Sequence, residues 1–197
     1  MAEKPYIIGI FGPPGSGKST LLSFFEEKGF AVWKADDAVK RLYGPHADGS
    51  KRVAEYFGKN FLASDGSVLI SRLAKMVLSK RLKLKILEYL IHPLVINEAV
   101  HWIDEQKKLG HDRLVIEAAA FDSDGLGRYT DLLVKVMADM EICRERVLAR
   151  GKTDAYFSAL YSVTRTYETS YVIENSDTMD DFKNSFEKLL STITIPT

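Results

Sequence analysis

The sequence predicts an α/β domain in which helices cover both faces of a parallel β-sheet. Two observations support this fold class. Short apolar runs recur along the chain, and most are separated by segments with helical periodicity, an alternation typical of parallel strands joined by helices. The first run, residues 6–11, is apolar almost throughout, as expected for a strand that is buried on both faces of its sheet.

Each predicted element follows from its own pattern. Short apolar runs predict the strands, and amphipathic segments predict the helices between them. The helix after the first strand is closed by Gly29, since glycine readily adopts the left-handed conformation that ends helices. The predicted strands are 6–11, 30–33, 113–116, 132–137 and 171–175, and the helices that alternate with them are 19–28, 139–150 and 180–191.

A long helical stretch at residues 38–110 interrupts this alternation. Apolar residues recur at helical spacing over residues 53–61 and again over residues 87–103. A connection between neighbouring parallel strands needs far fewer residues. We therefore predict that the chain is a single domain, residues 1–197, with a helical subdomain inserted at 38–110.

Residues 12–19, GPPGSGKS, match the phosphate-binding loop pattern G-x-x-x-x-G-K-[ST] and are called the phosphate loop below. Glycines allow backbone N–H groups to turn inward around phosphate oxygens, Lys18 brings a positive charge to them, and Ser19 offers a hydroxyl to Mg²⁺. The following helix directs the positive end of its dipole at the same anion. An ordinary glycine-rich turn is the alternative, but the position between a strand and a helix disfavours it. The sequence thus predicts a phosphate-loop NTPase or kinase fold that binds ATP and Mg²⁺.

Asp36 follows the second predicted strand and is a candidate catalytic base. Phosphoryl transfer to an alcohol needs a group that orients the acceptor hydroxyl or takes its proton. Because sites in open α/β sheets lie at the carboxyl ends of the strands, we expect Asp36 at the same edge as the phosphate loop. The alternative is that Asp36 or Asp37 caps the next helix. We favour the catalytic role for Asp36 and interpret Asp37 as a capping or solvated residue.

Arg146 and Arg150 lie four residues apart on one predicted helix and therefore share a face. A guanidinium group binds two phosphate oxygens at once, so this pair could close over the phosphate that is transferred. The alternative is a solvated helix in which Glu141 and Glu145 pair with the arginines, and the sequence leaves both open. The polar and aromatic segment that follows favours a mobile lid at residues 144–170.

Two further features of the sequence, Glu117 and the pair His92-Pro93, need interpretation. Glu117 follows the third predicted strand and could reach the Mg²⁺ ion or be an ordinary carboxylate at the sheet edge. His92 and Pro93 lie inside an apolar helical run, where proline removes a backbone hydrogen bond and tends to kink or start a helix. Without further context, a histidine at such a position is expected to be a core residue with satisfied hydrogen bonds.

Composition narrows the function. The chain has 27 basic and 27 acidic residues, so no overall positive field favours nucleic acid as a partner. Its single cysteine, Cys143, excludes an intramolecular disulfide and a cysteine-cluster metal site.

No leader opens the sequence and no apolar run approaches the length of a membrane span, so we expect a soluble cytoplasmic protein without a membrane partner. No coiled-coil heptad is visible, and we expect a monomer.

Several of these segments together resemble the dephospho-CoA kinase family. The phosphate loop matches, residues 32–36 (VWKAD) resemble the family's Val-Ile-Asp-Ala-Asp, and residues 87–95 (LEYLIHPLV) resemble its LE-x-x-x-HP motif. This last motif is the most family-specific of the set. Residues 117–119 (EAA) resemble a family motif before its substrate loop, and residues 173–175 (IEN) resemble a family motif near the nucleotide base. The resemblance spans nearly the whole chain.

The resemblance implies that the chain phosphorylates the ribose 3′-hydroxyl of dephospho-CoA with ATP, which gives coenzyme A. It implies that Asp36 is the base and that the insertion is the CoA-side subdomain. Charge on the transferred group would be stabilised by Lys18, Arg146 and Arg150. The substrate-binding residues would be Asp36, His92, Pro93 and Glu117. The nucleotide-binding residues would be Gly12, Pro13, Pro14, Gly15, Ser16, Gly17, Lys18, Ser19, Thr20 and Asn175, with Ser19 as the Mg²⁺ ligand.

Some positions depart from the family pattern. Lys34 stands in place of its first aspartate, Ile70 in place of an arginine and Cys143 in place of a common glutamine. Two other functions therefore remain as alternatives. One is a kinase for another small acceptor, such as a nucleoside or nucleotide, which would not need the His-Pro helix. The other is a regulatory protein that binds ATP without transferring a phosphoryl group.

Overall fold

A computed structural model of the chain describes residues 4–78, 80–119, 121–162, 167, 169 and 171–193, without the side chains of residues 78, 81 and 162. The chain divides into two compact units. The first comprises Met1–Trp33 and Ile103–Thr197, and the second comprises Lys34–Trp102.

The β-sheet has five strands in the order β2-β3-β1-β4-β5. The strands are β1 (Tyr6–Phe11), β2 (Ala31–Lys34), β3 (Arg113–Glu117), β4 (Leu132–Met137) and β5 (Tyr171–Glu174). β1 runs parallel to β3 on one side and to β4 on the other, and β4 runs parallel to β5. The predicted α/β fold with a parallel sheet is thus confirmed.

Helices connect the strands, and short 3₁₀ turns lie at Lys59–Phe61 and Leu126–Tyr129. The α-helices are α1 (Lys18–Glu27), α2 (Ala35–Leu42), α3 (Asp48–Phe57), α4 (Ile70–Leu78), α5 (Arg81–Lys108), α6 (Met140–Ala149), α7 (Asp154–Ser162) and α8 (Met179–Thr192). α8 begins with a capping box, in which Thr178 and Asp181 each accept a hydrogen bond from the other's backbone N–H. In the first unit, the predicted strand and alternating-helix ends differ from the observed ends by one residue at most, which is within the usual variation of boundary assignment.

Among the described residues of the first unit, hydrophobic side chains form a larger and a smaller core cluster. The larger one lies between the sheet and the helices α1 and α8, where Phe25 and Phe186 meet edge to face with ring centroids 4.9 Å apart. The smaller one joins the end of β4 to α6 and α7 through Ala138, Cys143, Val147 and Phe157. Together they fix the positions of β1, β4, β5 and α6, the elements that surround the phosphate loop.

The second unit contains α2, α3, α4 and most of α5. α5 holds Pro93 in its interior, so this helix does not start at the proline. Because proline lacks an N–H group, the carbonyl of Tyr89 four residues earlier loses its regular helical donor. In the same turn, Arg52 of α3 donates from Nη1 to the carbonyl oxygen of Leu90 at 3.0 Å. A side chain thus adds a hydrogen bond where the helix has lost one.

The assignments of a CoA-side subdomain to residues 38–110 and of a lid to residues 144–170 stay predictions. Residues 163–166, 168 and 170 of the predicted lid lie outside the described residues. Among the helices that the structure describes, none combines the length and apolar character needed to cross a bilayer.

Candidate functional site

The phosphate loop lies between the carboxyl end of β1 and the first turn of α1. Gly15 and Gly17 have φ angles of 85° and 105°, values that residues with a side chain rarely adopt. The backbone therefore takes two unusual turns before α1 begins at Lys18. These φ angles are by themselves a sufficient reason for glycine at both positions.

Backbone atoms at the end of β4 and in helix α6 pack closely against two glycines of the loop. A Cβ atom at Gly12 would lie 2.2 Å from the carbonyl oxygen of Val136, and one at Gly15 would lie 2.3 Å from the carbonyl oxygen of Cys143. Both neighbours are backbone atoms, which cannot rotate away as a side chain can. Close packing is therefore a second reason for glycine in this loop.

The segment after β5 contacts the loop through a buried polar side chain. Asn175, which is 6% exposed, donates from Nδ2 to the carbonyl oxygen of Ser16 at 2.7 Å. A Cβ atom at Gly17 would lie 2.0 Å from the same nitrogen. The backbone N–H of Asn175 donates to the carbonyl oxygen of Met137 at 2.8 Å, which ties the residue to the end of β4.

Two cations bind carbonyl oxygens of the phosphate loop. Lys18 donates from Nζ to the carbonyls of Gly12 at 3.0 Å and Pro13 at 3.1 Å. Arg146 of α6 donates from Nη1 to the carbonyl of Gly15 at 3.4 Å. A loop that presents its N–H groups to an anion must turn carbonyl groups elsewhere, and buried carbonyls need donors. Lys18, Arg146 and Asn175 are these donors.

In the part of the chain that the structure describes, no side chain caps the N-terminus of α1. Gly17 is the N-cap residue, no side chain forms a capping hydrogen bond, and the first turn contains no acidic residue. The first N–H groups of any helix lack an intrahelical partner, and the helix dipole makes this end positive. This end of α1 therefore suits an anionic ligand, and the exposed Ser19 lies in the same turn.

The two candidate arginines occupy different environments. Arg146 is half-buried against the loop, whereas Arg150 follows the last residue of α6 and is exposed. Glu141 forms an ion pair with Arg144 at 3.6 Å, and Arg144 also pairs with Asp154 of α7. Glu141 therefore engages a different arginine from the two that are predicted to act on phosphate.

Glu117 is the last residue of β3, the strand that pairs with β1 on the side opposite β4. It lies in register with Ile10, and the N–H of Ala118 donates to the carbonyl of Ile10 at 3.2 Å. This pairing brings Glu117 next to the strand that leads into the phosphate loop. Its carboxylate and the hydroxyl of Ser19 are hard oxygen donors of the kind that Mg²⁺ prefers.

Asp36 and Asp37 lie in the first turn of α2, in the second unit. The N-cap residue of α2 is Lys34, and no side chain caps this helix. Asp37 accepts a hydrogen bond from Nζ of Lys40 at 2.7 Å, and this bond holds the pKa of Asp37 below its ordinary value. Asp36 is exposed, and its carboxylate forms no hydrogen bond with another described residue. Among the described residues, a side chain therefore engages the carboxylate of Asp37 and none engages that of Asp36.

His92 and Pro93 lie on α5 in the second unit. His92 is half-buried and Pro93 is exposed, so the histidine is not enclosed in a hydrophobic core. Tyr89, one turn earlier, is 80% exposed. On this part of α5, His92 is therefore partly accessible to solvent and Tyr89 is largely accessible.

Comparison with known proteins identifies the family. A family model for dephospho-CoA kinase matches residues 6–180, which is most of the chain. The chain belongs to the dephospho-CoA kinase family. The dephospho-CoA kinase of Fusobacterium nucleatum is 28% identical over 194 residues, which cover 95% of this chain and 98% of the relative.

Solved structures support the same fold. The crystal structure of the protein TT1252 from Thermus thermophilus has a TM-score of 0.77 at 25% identity, and the match covers 98% of this chain and all of that one. The dephospho-CoA kinase of Campylobacter jejuni has a TM-score of 0.64 at 18% identity over 94% of this chain and 95% of its own. As a member of the dephospho-CoA kinase family, the chain is an ATP-dependent kinase, and the regulatory alternative is disfavoured.

Two contacts of the phosphate loop in this dephospho-CoA kinase family member could not be predicted from the sequence. Asn175 meets Ser16 across a separation of 159 residues, and the carbonyl of Cys143 fills the space next to Gly15. Resemblance to the family associates Asn175 with the nucleotide, and it indicates no contact with the loop. The thiol of Cys143 is fully buried, and burial raises its pKa, so its contribution to the site is the backbone carbonyl.

Proposed function

We propose that this chain transfers the γ-phosphoryl group of ATP to the ribose 3′-hydroxyl of dephospho-CoA, with coenzyme A and ADP as products. The observation that carries the proposal is the phosphate loop, whose packed glycines and bound carbonyls build an anion site directly before α1. Membership of the dephospho-CoA kinase family indicates the acceptor.

The residues around the phosphate loop would act on ATP. Phosphoryl transfer depends on positioning and on neutralising charge, with little covalent chemistry for the protein to perform. Lys18, whose ammonium group binds the loop carbonyls, would also bind the β- and γ-phosphate oxygens. Arg146 would add a guanidinium from the side of Gly15, and Arg150, four residues further along, would close over the transferred group.

Mg²⁺ bound together with ATP would neutralise charge on the phosphates during transfer. Ser19 would hold it through its hydroxyl, and the carboxylate of Glu117 would bind either the ion, directly or through water, or dephospho-CoA. These residues fit the ion, because Mg²⁺ takes only one or two carboxylates from a protein when substrate phosphates and water supply the other ligands.

The second unit would act on the acceptor. Asp36 would orient the 3′-hydroxyl and accept its proton as the oxygen forms a bond to the γ-phosphorus. The exposure of Asp36 supports this role, and the hydrogen bond from Lys40 disfavours the same role for Asp37. His92 and Pro93 would contact dephospho-CoA from α5. A cytoplasmic location and a monomeric state also remain our expectations.

The test is a coupled ADP-release assay with Mg·ATP and dephospho-CoA, in which coenzyme A is identified as the product. Asp36→Asn keeps the shape of the side chain and removes the base, so we expect kcat to fall by about 10² to 10⁴. Asp37→Asn is the matched control and should keep the kcat of the wild type. An Asp36→Asn enzyme with full kcat would refute the base assignment.

The same assay addresses the alternative acceptors. Nucleosides and nucleotides in place of dephospho-CoA should give no ADP above the background hydrolysis of ATP. Turnover with one of them and none with dephospho-CoA would show that the proposed acceptor is wrong.

A further inference from the structure

Asn175 is one of the few buried polar residues that the structure describes, and the mechanism above does not use it. It lies directly after β5, at the carboxyl end of the sheet. Resemblance alone places it near the nucleotide base. Its contacts indicate a different task.

The side-chain amide of Asn175 is directed at the backbone of the phosphate loop. Nδ2 donates to the carbonyl oxygen of Ser16 at 2.7 Å, a short distance for a bond between neutral groups. The main chain of Asn175 is itself held, because its N–H donates to the carbonyl of Met137. The amide therefore reaches the loop from a fixed position.

The carbonyl of Ser16 needs this donor. Ser16 is fully buried, so water cannot satisfy its carbonyl oxygen. Loss of a donor to a buried carbonyl costs the full desolvation of that group. The peptide could recover a partner only by rotating, and rotation of the Ser16–Gly17 peptide would move the N–H of Gly17 as well. The orientation of this N–H is part of an anion-binding loop.

Gly17 and Asn175 fit each other closely. A Cβ atom at Gly17 would lie 2.0 Å from Nδ2 of Asn175, closer than any ordinary contact. The amide thus occupies the space that a side chain at Gly17 would need. Glycine at this position is required by its φ angle of 105° and also by Asn175.

We propose that Asn175 is a positioning residue that holds the phosphate loop in its phosphate-binding conformation through the carbonyl of Ser16. It acts on the phosphates through the loop and not on the base of the nucleotide. The inference rests on the proposed function only in taking a nucleoside triphosphate as the ligand of this loop.

The test measures, by calorimetry and without an acceptor, how tightly two ligands bind to the Asn175→Asp variant and to the wild type. The ligands are Mg·ATP and Mg·tripolyphosphate, which has the phosphate chain but no base. The substitution keeps the shape of the side chain and places an acceptor against an acceptor. We expect both ligands to bind about tenfold more weakly or worse, by similar factors. Glu174→Gln, an exposed neighbour on β5, is the control and should bind both ligands as the wild type does.

Weaker binding of ATP with unchanged binding of tripolyphosphate would overturn the proposal and indicate contact with the base. Wild-type affinity for both ligands would overturn it as well. Asn175→Ser, which adds no negative charge, is measured in the same way with the same expectations, and it separates loss of the hydrogen bond from repulsion between Asp and the phosphates. If the wild type forms no coenzyme A while both affinities fall as expected, the proposed acceptor is wrong and this inference stands.

A double substitution tests the fit between the two residues. In the Gly17→Ala variant, the new Cβ atom clashes with the amide of Asn175. In the double variant with Asn175→Ala, this amide is absent and the clash is removed. We therefore expect the loss of tripolyphosphate affinity caused by Gly17→Ala to be several-fold smaller in that background. Equal losses in the two backgrounds would contradict the proposed contact.

Discussion

Replacement of Gly15 by alanine separates the two reasons for glycine in the phosphate loop. Gly15 has a φ angle of 85°, and a Cβ atom there would lie 2.3 Å from the carbonyl oxygen of Cys143. Gly29, at the end of α1, has a φ angle of 83°, and a Cβ atom there would meet nothing within 4 Å. The two glycines share the backbone strain, and only Gly15 has the clash.

The magnitudes follow from these distances. Gly29→Ala should lower the free energy of unfolding by about 1–2 kcal/mol, the cost of a left-handed conformation for alanine. In a chain of this size, each kcal/mol lowers Tm by about 2–4 °C. Gly15→Ala carries the same cost and a further overpacking cost of about 1–3 kcal/mol. The loop or α6 must also shift by about 0.7 Å to bring the two atoms even to 3.0 Å apart.

Such a shift moves the N–H groups that bind phosphate. Displacements of about 1 Å in a site of this kind cost about 10² in rate, so we expect kcat/KM for ATP to fall by about 10² in Gly15→Ala. Gly29→Ala should keep the kcat/KM of the wild type. The measurements are ADP release and thermal unfolding of both variants. Equal Tm and equal kcat/KM in the two variants would refute the argument that α6 constrains the loop.

Three further predictions concern other parts of the molecule. Lys18→Ala should lower kcat by about 10² or more in the ADP-release assay, because it removes a charge that stabilises the transferred group, and unchanged kcat would contradict its role. Burial raises the pKa of Tyr43 to about 12 from 10.0, so the unfolded state releases this proton first and stability falls as pH rises from 10 toward 12. Urea unfolding of Tyr43→Phe should show a smaller loss of stability than the wild type across this range, and parallel curves would contradict the assignment. Phe157→Ala should destabilise the cluster between α6 and α7 by about 3 kcal/mol, seen as faster hydrogen exchange in α7, and unchanged exchange would contradict that packing.

The strands and the loop could be predicted from the sequence because their signals are local. A continuous apolar run marks β1, and the pattern of residues 12–19 needs only its own residues and a strand before it. The course of α5 could not be predicted in the same way. Proline at position 93 indicates a kink or a start, and the hydrogen bond from Arg52 to Leu90 that accompanies the continuous helix comes from another element.

The sequence proposes candidate site residues where a role depends on the residue's own chemistry and its place in the chain. Lys18 and Ser19 are proposed from the phosphate-loop pattern, and Asp36 is proposed from its place after a strand. Asp37 differs from Asp36 because Lys40 donates a hydrogen bond to its carboxylate. The sequence places Lys40 three residues after Asp37, but it does not show whether the lysine binds Asp37 or extends into solvent. The contact of Asn175 with Ser16 depends on the pairing of β4 with β5, and no local pattern encodes it.

The phosphate-loop pattern is therefore necessary for this site and not sufficient. Its three glycines face Val136, Cys143 and Asn175, all more than 100 residues later in the chain, on three different segments. The carbonyls of Gly15 and Ser16 are bound by side chains from two of those segments. Because these contacts form only when β4, α6 and β5 are docked, the loop acquires its conformation with the tertiary fold. Substitutions that loosen α6 or the end of β5 should weaken phosphate binding without touching the loop sequence.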